Sequence, residues 1–311
     1  MRRLIIDTDP GVDDAFAIAL ACASPEVDLL AVTTVAGNIG IEHTTRNALN
    51  ILALCGREDV PVAAGAHRPF SRPVRGDDAH GNDGLGGHAY AIPASTAVVD
   101  KRDAVTLLKD MLEASDEPVT IVAIGPLTNI ALLLAAHPSV KAKIDRLVVM
   151  GGGIEGGNIT PSAEFNVWVD PEAARRVLVE EDVPVTLVPV DITMRCAVGD
   201  PWLNELATTP VGRELVAMTP HYRAFYLEEV GRDDFVMHDA IAVAEAIEPG
   251  VLRTTQLRLE VDCTDGPGSG ATIADRRKPA SPGERVVDVA LDADVEALTG
   301  TILSRLRGRS D

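Results

Sequence analysis

The chain has 311 residues, 46% of them hydrophobic, which is enough to bury a large core and excludes a disordered or fibrous protein. Its 28 Lys and Arg face 47 Asp and Glu, and the net charge of -19 argues against DNA, RNA or an anionic membrane surface as a partner. The four cysteines are scattered without a CxxC pair, which indicates neither a zinc knuckle nor a disulfide framework and favours the reduced cytoplasm.

The apolar runs near the N-terminus are too short to be targeting or membrane segments. Leu4, Ile5 and Ile6 are followed at once by Asp7, so they cannot form the core of a signal peptide. The helical run 15–23 is shorter than the roughly 20 apolar residues that a membrane-spanning helix needs. We therefore expect a soluble cytoplasmic protein.

Short apolar runs rich in Val, Ile, Leu and Thr alternate with longer helical patterns. The predicted strands are, in chain order, 3–7, 29–37, 119–125, 146–153 and 184–191. The predicted helices between and after them are 12–24, 42–56, 102–115, 127–138 and 171–182. Because most of the strands lack polar alternation, they should be buried on both faces. This order predicts an α/β fold with an open, doubly wound, mostly parallel sheet and helices on both faces.

The rest of the chain is less regular. Residues 72–93 are glycine-rich and without apolar periodicity, so we expect a long mobile loop over one edge of the sheet. Residues 200–247 have helical patterns, 251–291 contain further strands around a loop at 265–284, and a last helix is expected at 292–307. No linker divides the chain, so 1–311 is interpreted as a single domain.

Polar turns follow the carboxyl ends of four predicted strands. They are DTDPGVDD at 7–14, Gly37-Asn38, GPLTN at 125–129 and GGGIEGGN at 151–158. Ligands of doubly wound sheets bind outside the carboxyl ends of the strands. The sequence therefore predicts a polar binding site at this edge.

The first turn contains Asp7, Asp9, Asp13 and Asp14 within eight residues. Such carboxylates repel one another and are costly to bury, so a cation is expected among them. Oxygen ligands without Cys or paired His suit Ca²⁺ or Mg²⁺, and the lack of EF-hand spacing means that distant segments must complete the site. The alternative for any one of these residues is that it merely caps a helix.

Other candidates are weaker one by one. Asp239 follows His238 at a predicted helix start and could be an ordinary N-cap, and His80 could be a solvated loop side chain. A further polar trio could simply satisfy backbone groups in a turn; it consists of Asn158, Glu164 and Asn166.

Taken together, six motifs resemble those of the inosine-uridine type nucleoside hydrolases. They are DTDPGVDDAFAI, TTVAGN, GPLTNIA, MGGG, AEFNVWVDPEAA and HDAIA, in the same order and with similar spacing from residue 5 to about 245. The resemblance implies the nucleoside hydrolase fold with its Rossmann-like core and a homodimer or homotetramer. It also implies Ca²⁺-dependent hydrolysis of the N-glycosidic bond of a small ribonucleoside, giving ribose and free base.

The resemblance assigns roles to individual positions. The expected Ca²⁺ ligands are Asp9, Asp14, Asp239 and the carbonyl oxygen of Ile124, where the family often has threonine. The expected ribose-binding residues are Asp13, Asn38, Met150, Asn158, Glu164 and Asn166. The expected base-binding residues are His80, Tyr226 and His238, and Asp7 has a supporting role.

The chemistry agrees with these roles. Hydrolysis passes through an oxocarbenium-like sugar and needs an activated water and a leaving base that can accept a proton. Asp9 is expected to take the proton from the water, and His238, with a pKa near neutrality, to protonate or polarise the base. The combination of His238 with Tyr226 is typical of members that prefer inosine and uridine or accept pyrimidines.

Two alternative functions agree with part of the sequence. A haloacid-dehalogenase-like phosphatase also has a D-x-D turn after its first strand, but here Pro10-Gly11 replaces the expected Gly-Thr pair and no Lys follows a suitable strand. A catalytically inactive nucleoside-binding paralogue would keep the sugar contacts. The presence of Asp9 argues against it, because sugar binding alone requires no base beside the metal.

Overall fold

The computed structural model describes residues 1–76, 78–277, 280–281 and 283–308. The strands are β1 (Arg2–Thr8), β2 (Val27–Thr34), β3 (Val62–Ala64), β4 (Val119–Ala123), β5 (Ile144–Met150), β6 (Val185–Val188), β7 (Leu252–Val261), β8 (Thr272–Asp275) and β9 (Val287–Ala293). The helices are α1 (Val12–Cys22), α2 (Ile41–Leu54), α3 (Ala104–Ala114), α4 (Thr128–Ala136), α5 (Phe165–Val169), α6 (Pro171–Arg175), α7 (Val190–Thr193), α8 (Asp200–Leu206), α9 (Pro210–Val230), α10 (His238–Ile247) and α11 (Val295–Leu306).

In this part of the chain the nine strands form one sheet in the order β3-β2-β1-β4-β5-β6-β9-β7-β8. Pairing is parallel from β3 to β9, and β7 then runs antiparallel to both β9 and β8. The predicted α/β fold with an open, mostly parallel sheet is confirmed. The chain moves from β1 outward to β3 on one side and from β4 outward to β6 on the other, so the strand order reverses between β1 and β4.

Two hydrophobic cores lie on opposite faces of the sheet. In β1, Leu4 and Ile6 belong to one core and Ile5 belongs to the other, as the two-residue period of a strand requires. The first core contains the buried faces of α1, α2, α10 and α11, and the second contains those of α3, α4 and α6. Both faces are therefore covered by helices, which explains the absence of polar alternation in the central strands.

Four short elements were not predicted: β3, α5, α7 and β8. The strand β8 forms within the stretch expected to be a loop, where Ile273 pairs with Glu260 of β7. Three or four residues carry too little pattern to reveal a strand, and pairing with a neighbour decides the outcome. The expected loop also contains Lys278, Pro279 and Pro282, which lie outside the described residues.

The predicted loop 72–93 has no helix or strand in its described residues, 72–76 and 78–93. It is nevertheless attached to the fold. Asn47 of α2 donates to the carbonyl of Asp83 at 2.9 Å, and the Asp83 carboxylate accepts from three backbone N–H groups of the loop itself. These contacts hold the loop against the edge of the sheet where the polar turns lie. Asp77 lies outside the described residues.

Among the described residues, no helix combines the length and the apolar character needed to cross a bilayer. All four cysteines are free thiols.

The helix α10, which begins with His238 and Asp239, is held at its other end by a buried carboxylate. Glu245 is only 3% exposed and pairs with Arg146 of β5 at 3.1 Å. Its second oxygen accepts from the backbone N–H groups of Gly250 and Leu252, the latter at the start of β7. One side chain therefore joins α10 to two strands.

We expect Glu245→Ala to lower the free energy of unfolding by about 3–5 kcal/mol, because it leaves the mostly buried guanidinium of Arg146 unpaired. Urea denaturation followed by circular dichroism measures the change. Glu260→Ala is the matched control, since its ion pair with Arg175 is exposed and should contribute about 1 kcal/mol or less. Equal losses in the two variants would contradict this account.

Candidate active site

A cavity opens at the carboxyl edge of the sheet, next to the reversal of strand order between β1 and β4. Its wall is formed by the turns after β1, β2, β4 and β5, by α9, by the start of α10 and by the loop 72–93. The candidate residues that line it are Asp13, Asn38, His80, Ile124, Met150, Asn158, Glu164, Asn166, Tyr226, His238 and Asp239. Asp9 and Asp14 lie behind this lining, only 1% and 0% exposed.

Three carboxylates converge beneath the cavity. Oxygens of Asp13, Asp14 and Asp239 all lie within 4.8 Å of one another, and all three residues are buried. Asp239 reaches them from the first turn of α10, more than two hundred residues along the chain. Asp9 is not part of this trio, although the sequence assigned it to the metal and assigned Asp13 to the ribose.

Asp14 is partly the helix cap that the sequence allowed as an alternative. Its carboxylate accepts from the backbone N–H of Gly11 at 2.8 Å and from the hydroxyl of Thr8. Asn38 also donates to it, at 3.3 Å. For Asp239 no such capping bond exists within the described chain, since α10 starts after Met237 without a side-chain cap.

In Asp9, one carboxylate oxygen accepts a hydrogen bond and the other has no partner among the described residues. Oδ2 accepts from the backbone N–H of Asn38 at 2.7 Å, whereas Oδ1 is buried without a hydrogen-bond partner among the described residues. Two glycines make room for this side chain. A Cβ at Gly37 would lie 2.1 Å from Oδ2, and a Cβ at Gly125 would lie 2.5 Å from Oδ1.

Burial raises the pKa of all four carboxyl groups, Asp9, Asp13, Asp14 and Asp239. Repulsion from neighbouring carboxylates adds to this increase for each of them except Asp14. In the described part of the chain no Lys or Arg forms an ion pair with any of the four. Buried oxygen donors with unmet charge fit a divalent cation, so the residues present can hold a metal.

Asp7 lies outside the cavity and connects elements below it. Its carboxylate accepts from Thr33 of β2 at 2.5 Å and from Asn129 of α4 at 2.8 Å. Burial raises its pKa to about 7. This placement is compatible with the supporting role assigned to it.

The ends of β4 and β5 are joined through Asn166. Its side-chain amide donates to the carbonyl of Ile124 at 3.0 Å and to the carbonyl of Met150 at 3.3 Å. The Ile124 carbonyl therefore faces the cavity side of the sheet with one lone pair already used. Asn166 holds both strand ends in position beneath the cavity.

Glu164 and Asn158 organise the turn before α5. The Glu164 carboxylate accepts from the backbone N–H groups of Gly152 and Asn166 at 2.8 Å and of Val167 at 3.1 Å. Asn158 accepts from the backbone N–H of Phe165 at 3.0 Å. The alternative that these residues satisfy turn backbone is thus correct, but both also line the cavity. Oε2 of Glu164 accepts two of these hydrogen bonds, whereas Oε1 accepts one and has a further lone pair for a ligand hydroxyl.

His238 lines the cavity and lies between two hydroxyls. Its Nε2 is 2.7 Å from the hydroxyl of Tyr226, and its Nδ1 is 2.6 Å from that of Thr193. Burial, with a contribution from the positive charge of Arg232, lowers the pKa of His238 to about 3. The expectation of a pKa near neutrality is therefore wrong, because a fully buried imidazole loses the hydration that stabilises its charge.

His80 comes from the loop and is buried, not solvated. Its Nδ1 accepts from the backbone N–H of Val12 at 3.0 Å, and its ring lies 5.2 Å from that of Tyr222. Burial lowers its pKa to about 3, so it is neutral and forms no ion pair with Asp13, 3.9 Å away. The loop 72–93 thereby contributes directly to the cavity wall.

Several lining residues were not found from the sequence: Met194, Tyr222, Phe225, Glu229 and Val230. Most of them belong to α9, where Tyr222 stacks on Tyr226 with ring centroids 4.8 Å apart. The four-residue spacing of the two tyrosines was the available signal, since such residues share one face of a helix. Nothing local in the sequence marked Thr193.

The comparisons with known proteins agree with this geometry. The family model described as inosine-uridine preferring nucleoside hydrolase matches residues 4–300. The pyrimidine-specific ribonucleoside hydrolase RihA of Photobacterium profundum is 40% identical over 279 residues, 88% of this chain and 89% of that protein. The non-specific ribonucleoside hydrolase RihC of Salmonella paratyphi B is 39% identical over 296 residues, 94% of either chain.

Similarity extends to solved structures. The purine-preferring ribonucleoside hydrolase from Gardnerella vaginalis aligns with a TM-score of 0.91 at 31% identity, covering 99% of this chain and 98% of that one. Because these matches span nearly the whole chain, the resemblance is confirmed and the phosphatase alternative is set aside. The chain belongs to the inosine-uridine preferring nucleoside hydrolase family, and it is a ribonucleoside hydrolase, an N-glycosidase that acts on small-molecule nucleosides.

Proposed function

We propose that the chain is a Ca²⁺-dependent ribonucleoside hydrolase that accepts both inosine and uridine. The observation that carries the proposal is the buried, unpartnered Oδ1 of Asp9 beside a trio of converging carboxylates. Among the cavity-lining residues, the carboxylates and amides of the strand-end turns match the hydroxyls of a sugar, and Tyr226 with the neutral His80 and His238 matches a base.

The cation would be held by Asp9, Asp14 and Asp239 together with the carbonyl oxygen of Ile124. Hard oxygen donors from flexible, distant segments favour Ca²⁺ over zinc or copper. Bound Ca²⁺ would offset the buried negative charge, orient a water molecule and lower its pKa. Asp13 belongs to the same trio but also lines the cavity, so its carboxylate can accept from a sugar hydroxyl.

Asp9 is proposed as the general base. Its Oδ2 is held by the backbone N–H of Asn38, so the carboxylate is positioned to accept a proton from the attacking water.

The ribose would be held by residues of the strand ends: Asp13, Asn38, Met150, Asn158, Glu164 and Asn166. Because their positions are fixed by hydrogen bonds to backbone, little reordering is required when the sugar binds. Carboxylates around the sugar stabilise the positive charge that develops on it in the transition state.

The leaving base would contact His80, Tyr226 and His238. Since burial keeps His238 neutral, it acts as a hydrogen-bonding partner of the Tyr226 hydroxyl and not as an imidazolium acid. A hydroxyl bonded to a neutral imidazole can donate to a base nitrogen or oxygen. The two groups can thus serve a purine or a pyrimidine, and the relatives include one named pyrimidine-specific and one named purine-preferring.

The homodimer or homotetramer implied by the resemblance remains a prediction, which light scattering of the purified protein can check. The inactive-paralogue alternative predicts that no ribose is released from inosine, uridine, cytidine or adenosine. A reducing-sugar assay on these nucleosides separates it from the proposal.

Removal of Ca²⁺ with a chelator should abolish ribose release from inosine and uridine, and added CaCl₂ should restore it. Because the ion binds only the folded chain, it should also raise stability, by about 2.7 kcal/mol at a free concentration near 100 times its Kd. Ribose assays and thermal melting measure the two effects, with MgCl₂ as the comparison cation. Release that is insensitive to the chelator would rule out the metal.

Gly125→Ala should lower kcat for uridine by about 100-fold, because the added Cβ would displace the Oδ1 side of the Asp9 carboxylate. The matched control is Gly300→Ala in α11, where a Cβ meets no atom within 4 Å. Both variants are checked by circular dichroism before kinetics. A folded Gly125→Ala enzyme within about threefold of wild type would contradict the role of Asp9.

His238→Ala should lower kcat for inosine and for uridine by about 100-fold or more. The Tyr226 hydroxyl, which serves the leaving base, would lose its hydrogen bond to Nε2 of His238. His137→Ala, at the far end of α4 from the cavity, serves as the control and should be neutral. Initial rates for both nucleosides give the result. Wild-type rates in the His238→Ala enzyme would remove His238 from the site.

A further inference from the structure

Thr193 is a fully buried polar residue to which the resemblance assigns no role. It ends α7, the helical turn that follows β6, and its side chain is 0% exposed. Its Oγ1 lies 2.6 Å from Nδ1 of His238, forty-five residues away in sequence. Its other contact, with the carbonyl of Val190 at 3.5 Å, is much longer. The hydroxyl is therefore committed chiefly to the histidine.

The imidazole of His238 is held on both sides. Nδ1 meets Thr193 and Nε2 meets the hydroxyl of Tyr226, so both ring nitrogens have partners. Rotation of the ring by half a turn would replace both nitrogens with carbons and lose both hydrogen bonds. Two hydroxyls thus fix one orientation of the ring, with Nε2 toward Tyr226 and the cavity.

A hydroxyl suits this position better than most other groups. A neutral histidine has one ring nitrogen that donates and one that accepts, and a threonine hydroxyl can bond either kind. The site is buried, so loss of the hydroxyl would leave Nδ1 without any partner and without water to replace it. Valine has nearly the same shape as threonine but can neither donate nor accept a hydrogen bond.

The turn that carries Thr193 is itself anchored next to the start of α10. Arg232 donates to the carbonyl of Met194 at 2.9 Å, and its guanidinium is held by two hydrogen bonds to Asp234. Met194, the next residue after Thr193, lines the cavity. The distance between Thr193 and His238 is therefore set by packed structure on both sides.

We propose that Thr193 is a positioning residue for departure of the base: it orients His238 so that Nε2 holds the Tyr226 hydroxyl toward the leaving group. The inference rests on the proposed function, in which Tyr226 and His238 serve the base. It predicts that Thr193 matters only for leaving groups that need a hydrogen bond or a proton to depart.

The test compares two substrates of the Ca²⁺-loaded enzyme. Inosine has a poor leaving group, whereas 4-nitrophenyl β-D-ribofuranoside has one that departs as a stable anion. Thr193→Val should lower kcat for inosine by about 10- to 100-fold and change kcat for the nitrophenyl riboside by less than about threefold. Thr193→Ser, which keeps a hydroxyl, should restore inosine hydrolysis to within about threefold of wild type.

Thr44→Val in α2 is the matched control. Thr44 is also fully buried and donates to the carbonyl three residues earlier, Ile41, at 3.1 Å, but within the described chain its hydroxyl forms no hydrogen bond with a histidine. This variant should leave both substrates unaffected. Circular dichroism and thermal melting establish that all variants are folded.

The outcomes are separable. Equal losses on both substrates in Thr193→Val, or no loss on inosine, would overturn the positioning role. A Thr193→Ser enzyme as slow on inosine as Thr193→Val would also overturn it, because the hydroxyl would then not be the group that supports inosine hydrolysis. Failure of the wild-type enzyme to hydrolyse either substrate would instead overturn the proposed function.

Discussion

The structure depends on one energetically costly arrangement, the burial of several carboxylates at the point where the strand order reverses between β1 and β4. Asp9, Asp13, Asp14 and Asp239 converge there with raised pKa values and no cationic side chain of the described chain among them. Such a group is tolerated when backbone N–H donors bind some oxygens and a cation meets the remainder. Oδ1 of Asp9 is buried without a hydrogen-bond partner in the described chain, which suits it to such a cation.

The wall of the cavity above these carboxylates is formed by two kinds of structural element. One part of its wall consists of strand ends and short turns cross-linked to backbone, as in the bonds from Asn166 to the ends of β4 and β5. The other part consists of α9, the start of α10 and the loop 72–93. Strand ends are fixed by the sheet, whereas helices and loops can vary, which agrees with relatives that share this fold but are named for different bases.

Burial also decides the protonation state of the two histidines that line the cavity. His80 and His238 are both neutral because neither imidazole keeps the hydration that its charge would need. Their contribution is therefore geometric and hydrogen-bonding. A neutral ring must be oriented by its neighbours, and in His238 the hydroxyls of Tyr226 and Thr193 provide that orientation.

The sequence by itself determined the fold class and the carboxyl edge as the site, because strand runs and strand-end turns are local patterns, and the family resemblance of its motifs added lining residues such as Ile124, Met150 and Tyr226. Short elements such as β8 escaped, since four residues become a strand only by pairing with β7. Only the tertiary structure grouped Asp13 with Asp14 and Asp239, lowered the pKa of His238 and brought Thr193 to it. These facts depend on packing between distant segments, and no local spacing of residues reveals which distant segments will meet.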